Sequence, residues 1–344
     1  CKEYIILHIL YLILLPLTFI YTIYIYIRKN LYKFNILKSY KFNVPVIVIG
    51  NIVAGGSGKT PIVISLANSL KHKGLKIGIV SRGYGAKIIN PIIINNTHKS
   101  HQVGDEPLLI FNKTSLPICV HLNRSQAIQH LLNYKNDLDA IISDDGLQHL
   151  KMHRDIECVV FNQFEIGNSS LIPAGPLRES IRKWNYSIYS GDSIDNKIVL
   201  KSQSKAIKVN RMSTTLVNIQ SHQIKNINNK SDLDEFSDKS VLIVAGIAHP
   251  QIIKQLLEKH NIQASVYNKI GDHQILEQSH IKDINTNYTE FDLIVITEKD
   301  LIKYDKDILI NQIKKPVWVI NLETIIPNNF IDEIYEKIVS INSK

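Results

Sequence analysis

The run Val46-Ile47-Val48-Ile49-Gly50-Asn51-Ile52-Val53-Ala54-Gly55-Gly56-Ser57-Gly58-Lys59-Thr60 constrains this chain more than any other stretch. Four β-branched residues enter a glycine-rich loop. Lys-Thr then opens a segment with Ile62, Val63, Leu66, Ala67 and Leu70 at helical spacing, stopped by Gly74. Strand, loop and helix N-terminus in that order form a cradle for nucleotide phosphates. Gly55, Gly56, Ser57 and Gly58 let backbone N–H groups close on phosphate oxygens, Lys59 reaches the β/γ-phosphates, and the Thr60 hydroxyl sits on Mg²⁺. Val53 stands where the general G-x-x-x-x-G-K-[ST] pattern has its first glycine. A plain glycine-rich turn is the competing account, and the sequence context on both sides speaks against it.

A second constraint lies at the other end of the polarity scale. Residues 5–27 are apolar or aromatic except for His8, Thr18 and Thr22, a length that suffices to cross a bilayer. Tyrosines cluster at 21, 24 and 26, and Arg28, Lys29, Lys33, Lys38 and Lys41 follow, so the positive-inside bias puts the rest of the chain in the cytoplasm. A spanning helix is the first reading and a helix lying in the interface the second. A secretory signal peptide is excluded by the length of the apolar core and by the lack of a small-residue cleavage site. The chain begins with Cys1, which leaves its start open.

The hydrophobic fraction of 44% and charged fraction of 21% belong to a globular protein. A net charge of +9 suits an anionic membrane, a phosphorylated substrate or nucleic acid, and does not choose among them. Three cysteines, Cys1, Cys119 and Cys158, form no metal-like pair. Cys119 and Cys158 sit in apolar runs as buried free thiols, so a reducing compartment is expected.

Strand-like runs at Val46–Ile49, Ile77–Val80, Leu116–Val120, Ala140–Ser143 and Cys158–Phe161 alternate with helical patterns such as Arg124–Tyr134. That alternation predicts a parallel sheet covered on both faces. Residues 191–240 turn polar and short-period, as a β-ribbon connector would. Val241–Val244, Leu293–Ile296 and Val317–Ile320 are strands of a second α/β unit, with a helix through Ile252, Ile253, Leu256 and Leu257. The expected division is an anchoring helix over 1–30, a phosphate-loop domain over 31–190, a connector over 191–240 and a smaller α/β unit over 241–344.

Five polar clusters fall just beyond strands, where open α/β sheets bind ligands. Ser81-Arg82-Gly83-Tyr84-Gly85 makes a turn whose Arg82 can clamp a phosphate, or a plain surface turn. Gly104-Asp105-Glu106-Pro107 offers a helix-capping pair, or a general base with a tuning partner. Ile141-Ile142-Ser143-Asp144-Asp145-Gly146-Leu147-Gln148-His149 ends a strand in the carboxylates that complete a triphosphate–Mg²⁺ site. Pro173-Ala174-Gly175-Pro176-Leu177-Arg178-Glu179 is a stiff turn delivering an Arg-Glu pair, and Gly271-Asp272-His273 places a histidine beside a carboxylate.

In this order, and with Thr297-Glu298-Lys299-Asp300 after them, the clusters resemble the tetraacyldisaccharide 4′-kinase family over nearly the whole chain. That family also lacks the first glycine of the general loop pattern. The resemblance implies a P-loop NTPase-type parallel sheet domain, a smaller α/β domain joined by a β-ribbon linker, and an N-terminal membrane helix at the cytoplasmic face of the inner membrane. It implies phosphoryl transfer from ATP, with Mg²⁺, to the 4′-hydroxyl of a tetraacyldisaccharide 1-phosphate, giving lipid IVA. Its partners would be that lipid and an anionic membrane surface, with no nucleic acid and no obligatory protein partner.

Carried over by residue, Lys59 and Thr60 hold triphosphate and Mg²⁺, Asp144 and Asp145 serve the metal, and Asp105, aided by His273, is the base. Arg82, Tyr84, Glu106, Arg124, Gln148, His149 and Glu179 line the site or position the lipid. Rival readings fare worse. In a positioning ATPase a Lys would occupy the place of Ala54, and Thr297-Glu298-Lys299-Asp300 has the wrong spacing for a guanine reader. A tethered nucleotide-binding module without catalysis leaves both carboxylate pairs unexplained.

Overall fold

Short β-branched runs, each bounded by turn residues, pair into two sheets in the protein's computed structural model, which describes residues 2–55, 58–161, 166–191, 193–247, 249–271, 274–304 and 306–343. For residues 2–8, 211–214 and 306–308 the description is of backbone alone. The first sheet contains β1 (Val46–Gly50), β2 (Ile77–Ser81), β3 (Ile92–Ile93), β4 (Ile118–Val120), β5 (Ala140–Asp144), β6 (Ile156–Phe161), β7 (Tyr186–Tyr189) and β8 (Lys205–Lys208). Their order is β3-β4-β2-β5-β1-β6-β7-β8, parallel except for the β3–β4 pair. The second sheet runs β10-β9-β14-β13-β11-β12, from β9 (Asn210–Asn218), β10 (Ile224–Asn226), β11 (Ser240–Ile243), β12 (Gln263–Val266), β13 (Leu293–Thr297) and β14 (Val317–Ile325). Its β11–β14 core is parallel, and β9 adds to β14 antiparallel.

The helices are α1 (Lys2–Lys33), α2 (Lys59–His72), α3 (Ser100–Val103), α4 (Asp105–Thr114), α5 (Arg124–Tyr134), α6 (Asn196–Ser202), α7 (Lys230–Leu233), α8 (Gln251–Lys259), α9 (Gln278–Asn287), α10 (Glu298–Leu301), α11 (Lys306–Gln312) and α12 (Asn328–Asn342). The period-2 pleat of β1 explains the layering. Ile47 and Ile49 face α2 through Ile62, Leu66 and Leu70, while Val46 and Val48 face α5 through Ala127, Ile128 and Leu131. Burial of each such Leu or Ile stabilises by roughly 1.5–3 kcal/mol. With both faces covered, β1, β2, β5 and β6 are buried from end to end.

Two features depart from the sequence expectations. The polar 191–240 stretch divides, with β8 closing the first sheet and β9 and β10 opening the second. Residues 241–344 do not stay together either, since the chain returns from β14 into α12. Phe330, Ile331, Ile334 and Ile338 of α12 join the first sheet's core. Tyr186 and Phe330 meet edge-to-face at 4.9 Å, and Tyr186 donates to Glu333 at 2.7 Å. Cys119 and Cys158 are buried free thiols, as expected.

Among the described residues, α1 is the one helix long and apolar enough to cross a membrane. It is also laid along the body. The Tyr11 and Ser170 hydroxyls meet at 3.2 Å, Thr18 accepts from the Ala174 N–H at 2.9 Å, Tyr21 donates to the Arg178 carbonyl at 2.9 Å, and Lys29 pairs with Glu179 at 3.0 Å. Leu12, Ile13, Phe19, Ile20 and Tyr26 stay exposed on its other faces.

Candidate active site

The site lies beyond the C-terminal ends of β1, β2 and β5, because a parallel sheet directs its following loops to one edge. β1 runs beside β5 with Ile49 opposite Asp144, so the phosphate loop leaves the sheet next to two carboxylates. Gly50 permits a close approach. A Cβ there would sit 2.7 Å from Leu147, so the 145–149 loop can fold down only on a glycine. Gly58 caps α2 in the left-handed region (φ 74°), which Lys59 and Thr60 follow as the first helical residues. Gly55 is described, with φ 103°; Gly56 and Ser57 lie outside the described residues.

The two carboxylates differ sharply. Asp144 is fully buried; Ser81 donates to Oδ2 at 2.9 Å, and Oδ1 has no hydrogen-bond partner among the described residues. Burial, then the neighbouring charges of Glu106 and Asp145, push its carboxyl up to about 7 against the pull of Lys59. Asp145 adopts φ 48°, a left-handed conformation uncommon for a non-glycine residue. Burial opposes its charge, but Lys59 at 3.6 Å and Arg178 at 3.2 Å outweigh that and hold the carboxyl below its usual range. A buried carboxylate oxygen with no donor, beside a second carboxylate and a threonine at a helix start, is a donor set of hard oxygens that fits Mg²⁺. Among the described residues no cluster of three acidic, His or Cys side chains forms a closed metal cage.

Asp105 and Glu106 open α4, where carboxylates also favour the helix dipole. A Cβ on Gly104 would meet the Gly83 and Tyr84 backbone at 3.0 Å, so the 82–85 turn and the carboxylate pair are packed against each other. Arg82 and Tyr84 are exposed at this edge. Glu106 pairs at 3.0 Å with Lys299 of α10, and Lys113 pairs with Glu298, so the second sheet reaches across to α4 at two points.

Arg124 turns inward, donating to the Leu122 carbonyl at 3.1 Å and the Asp145 carbonyl at 3.2 Å; it supports the carboxylate loop from behind. His149 has a buried Nε2 without a partner among the described residues. Burial, then Arg124, Lys151, Arg28 and Arg154, push its imidazole down to about 4. Gln148 and Glu179 meet at 2.9 Å in a cleft between α1 and the body, with Tyr21, Arg28, Lys29 and Arg178 around it. Asp272 and His273 lie outside the described residues.

A family model for tetraacyldisaccharide-1-P 4′-kinase matches residues 10–339. The chain belongs to this family. A tetraacyldisaccharide 4′-kinase of Pasteurella multocida (strain Pm70) is 38% identical over 294 residues, 85% of each chain. One from Ruthia magnifica subsp. Calyptogena magnifica is 36% identical over 330 residues, covering 94% of this chain and 96% of that one. A crystal structure of LpxK from Aquifex aeolicus in complex with ATP aligns at TM-score 0.72 and 25% identity, over 96% of this chain and 99% of that one. The mixed α/β architecture is thus the tetraacyldisaccharide-1-P 4′-kinase fold, and the chain is a kinase of lipid A biosynthesis.

Within this candidate site, Asn51, Ser81, Arg178 and Lys299 stand in the quoted motifs without a role of their own. Asn51 and Ser81 had a usable signal. Each is a small polar residue closing an apolar strand, the place where a buried side chain serves the adjoining loop. Lys299 had none, because its partner is distant in sequence.

Proposed function

We propose that the protein transfers the γ-phosphoryl group of ATP to the 4′-hydroxyl of a tetraacyldisaccharide 1-phosphate, giving lipid IVA. The observation that carries this reading is the meeting of Lys59, Asp144, Asp145 and the Asp105-Glu106 helix start at one sheet edge, beside an apolar helix. Phosphoryl transfer asks a protein mainly for charge neutralisation and in-line placement. Lys59 and the N–H groups of the 55–60 segment would take the β- and γ-phosphates, and Arg178 pairs with Asp145 at 3.2 Å. Thr60, Asp144 and Asp145 would hold Mg²⁺, which when bound neutralises phosphate charge.

A sugar hydroxyl is a weak nucleophile, so Asp105, assisted by His273, would accept its proton as the new P–O bond forms. Arg82, Tyr84, Glu106, Gln148, His149 and Glu179 would line the path of the disaccharide, and Arg124 would keep the Asp145 loop in place. We read the β9–β14 pair as the connector between the two units, with α12 returning to the first.

The substrate's acyl chains favour staying in the bilayer by about 0.8 kcal/mol per CH₂, so the enzyme must work at the membrane. We place it on the cytoplasmic face of the inner membrane. The contacts of α1 from Tyr11 to Lys29 extend along roughly 27 Å of helix. They favour a helix lying in the interface over one that spans, since a body bound along that length cannot follow it into hydrocarbon. The test is incubation with labelled ATP, Mg²⁺ and a lipid A disaccharide precursor presented in vesicles. Label in the lipid is the expected result; ATP binding without transfer would leave a tethered nucleotide-binding module instead.

A further inference from the structure

The phosphate loop and α1 lie on different sides of segment 176–179, and both are bound to it. On the loop side, the Ala54 N–H donates to the Pro176 carbonyl at 2.7 Å and the Arg178 N–H to the Ile52 carbonyl at 2.7 Å, with Val53 bridging Leu177. On the helix side, Tyr21 donates to the Arg178 carbonyl at 2.9 Å and Lys29 pairs with Glu179 at 3.0 Å.

A side-chain route runs parallel to this backbone ladder. Gln148 donates both to Glu179 at 2.9 Å and to the Asn51 carbonyl at 3.0 Å, while Arg28 donates to the Gln148 carbonyl at 3.2 Å. Asn51 is fully buried, and its whole side chain is spent on the loop. Its amide donates to the carbonyls of Val53 at 2.6 Å and Gly55 at 3.3 Å, and its oxygen accepts from Lys59 at 3.5 Å. An anion cradle needs its carbonyls held back so that its N–H groups can face the ligand. A buried amide persists only when paired in this way.

We infer that Asn51 is a positioning residue for the phosphate loop, and that the shared 176–179 segment makes the loop's affinity for nucleotide depend on the docking of α1. The inference rests on reading that loop as the ATP site. α1 then does more than hold the enzyme at a surface. With Lys29 and Tyr21 seated, 176–179 is fixed, Arg178 stays on Asp145, and the loop keeps the shape that Asn51 braces. A helix displaced from the body loosens all three together.

The experiment is binding of a non-hydrolysable ATP analogue with Mg²⁺ to the full chain, without lipid, so that lipid contacts cannot enter the readout. Lys29→Met and Tyr21→Phe, both remote from the loop, should each weaken binding by about 3- to 10-fold. Asn51→Ala should weaken it further, and Asn51→Asp should not rescue it, because a carboxylate can accept from Lys59 but cannot donate to the two carbonyls. Lys29→Met combined with Asn51→Ala should cost less than the product of the single effects. Wild-type analogue affinity in both Lys29→Met and Tyr21→Phe, with only the KM for lipid raised, would overturn the coupling. Absence of binding in the unsubstituted protein would instead remove the ATP reading itself. Should Asn51→Ala fail to fold, the two α1 variants decide alone.

Discussion

Two sheet edges in this molecule look alike in sequence and differ in how their polar groups are satisfied. At the second sheet, Asp300 is buried with every contact made: Thr297 donates at 2.6 Å, the Gly246 N–H at 3.1 Å and Lys303 at 3.0 Å. Lys303 also reaches the carbonyls of Gly246 and Gln274 at 3.3 and 3.4 Å. At the first sheet, Asp144 Oδ1 and His149 Nε2 are buried without partners among the described residues, and the contacts of Lys59 with those residues are long, 3.5 Å to Asn51 and 3.6 Å to Asp145. Buried polar atoms are ordinarily paired, so an incomplete network marks a place kept for a ligand and a complete one marks structure.

The largest effect should come from the incomplete edge. Lys59→Ala and Asp105→Ala are each expected to lower turnover by about 10²- to 10⁴-fold while the far-ultraviolet circular dichroism and melting profile stay those of the parent. Near-normal lipid phosphorylation by Asp105→Ala would remove it as the base.

The next contrast is thermodynamic. Lys303→Met strands the Asp300 charge in a dry site and should destabilise by about 3–5 kcal/mol in denaturant unfolding. Asp144→Asn removes a charge that already lacks a full set of donors, so stability should hold or rise while phosphoryl transfer is lost. If both variants lose stability alike, the two edges are equivalent and the distinction fails.

α1 carries the same division within one element. Its inner stripe is hydrogen-bonded to the body and its outer faces hold exposed Leu12, Ile13, Phe19, Ile20 and Tyr26. Deleting residues 1–30 should move most of the protein from the membrane to the soluble fraction and reduce use of vesicle-borne lipid about tenfold or more. An unchanged membrane fraction would assign docking to another surface.

How much of this was legible depended on range. The phosphate loop, the carboxylate-ended β5 and the helix Arg124–Tyr134 are written in local residues, and the observed elements follow them. β12, Gln263–Val266, has exposed alternate positions and no apolar run, so nothing local announces it. β14 looked four residues long and runs to Ile325, because pairing with β9 extends it through polar positions. α12 has a plain amphipathic pattern, but which sheet it covers is decided by packing against Tyr186 and α2. In the site, residue types were readable and their engagements were not. Arg124 was expected to line the site or position the lipid, and its two terminal guanidinium nitrogens donate to carbonyls of the protein.

The smallest expected effect concerns His149. Its imidazole is pushed from 6.5 down to about 4 by burial and by four cationic neighbours, Arg124, Lys151, Arg28 and Arg154. The folded protein therefore resists a proton that the unfolded chain accepts below about 6.5. The stability this contributes is complete above that pH and is lost as pH falls toward 4. His149→Gln removes the titration without adding a charge. The drop in melting temperature between pH 7 and pH 5 should be smaller in the variant than in the parent, by a few degrees at most. Equal drops would mean that His149 takes its proton in the folded state as readily as in the unfolded one. The ring would then be in contact with water, and the first sheet's edge would hold one open polar atom fewer than the comparison requires.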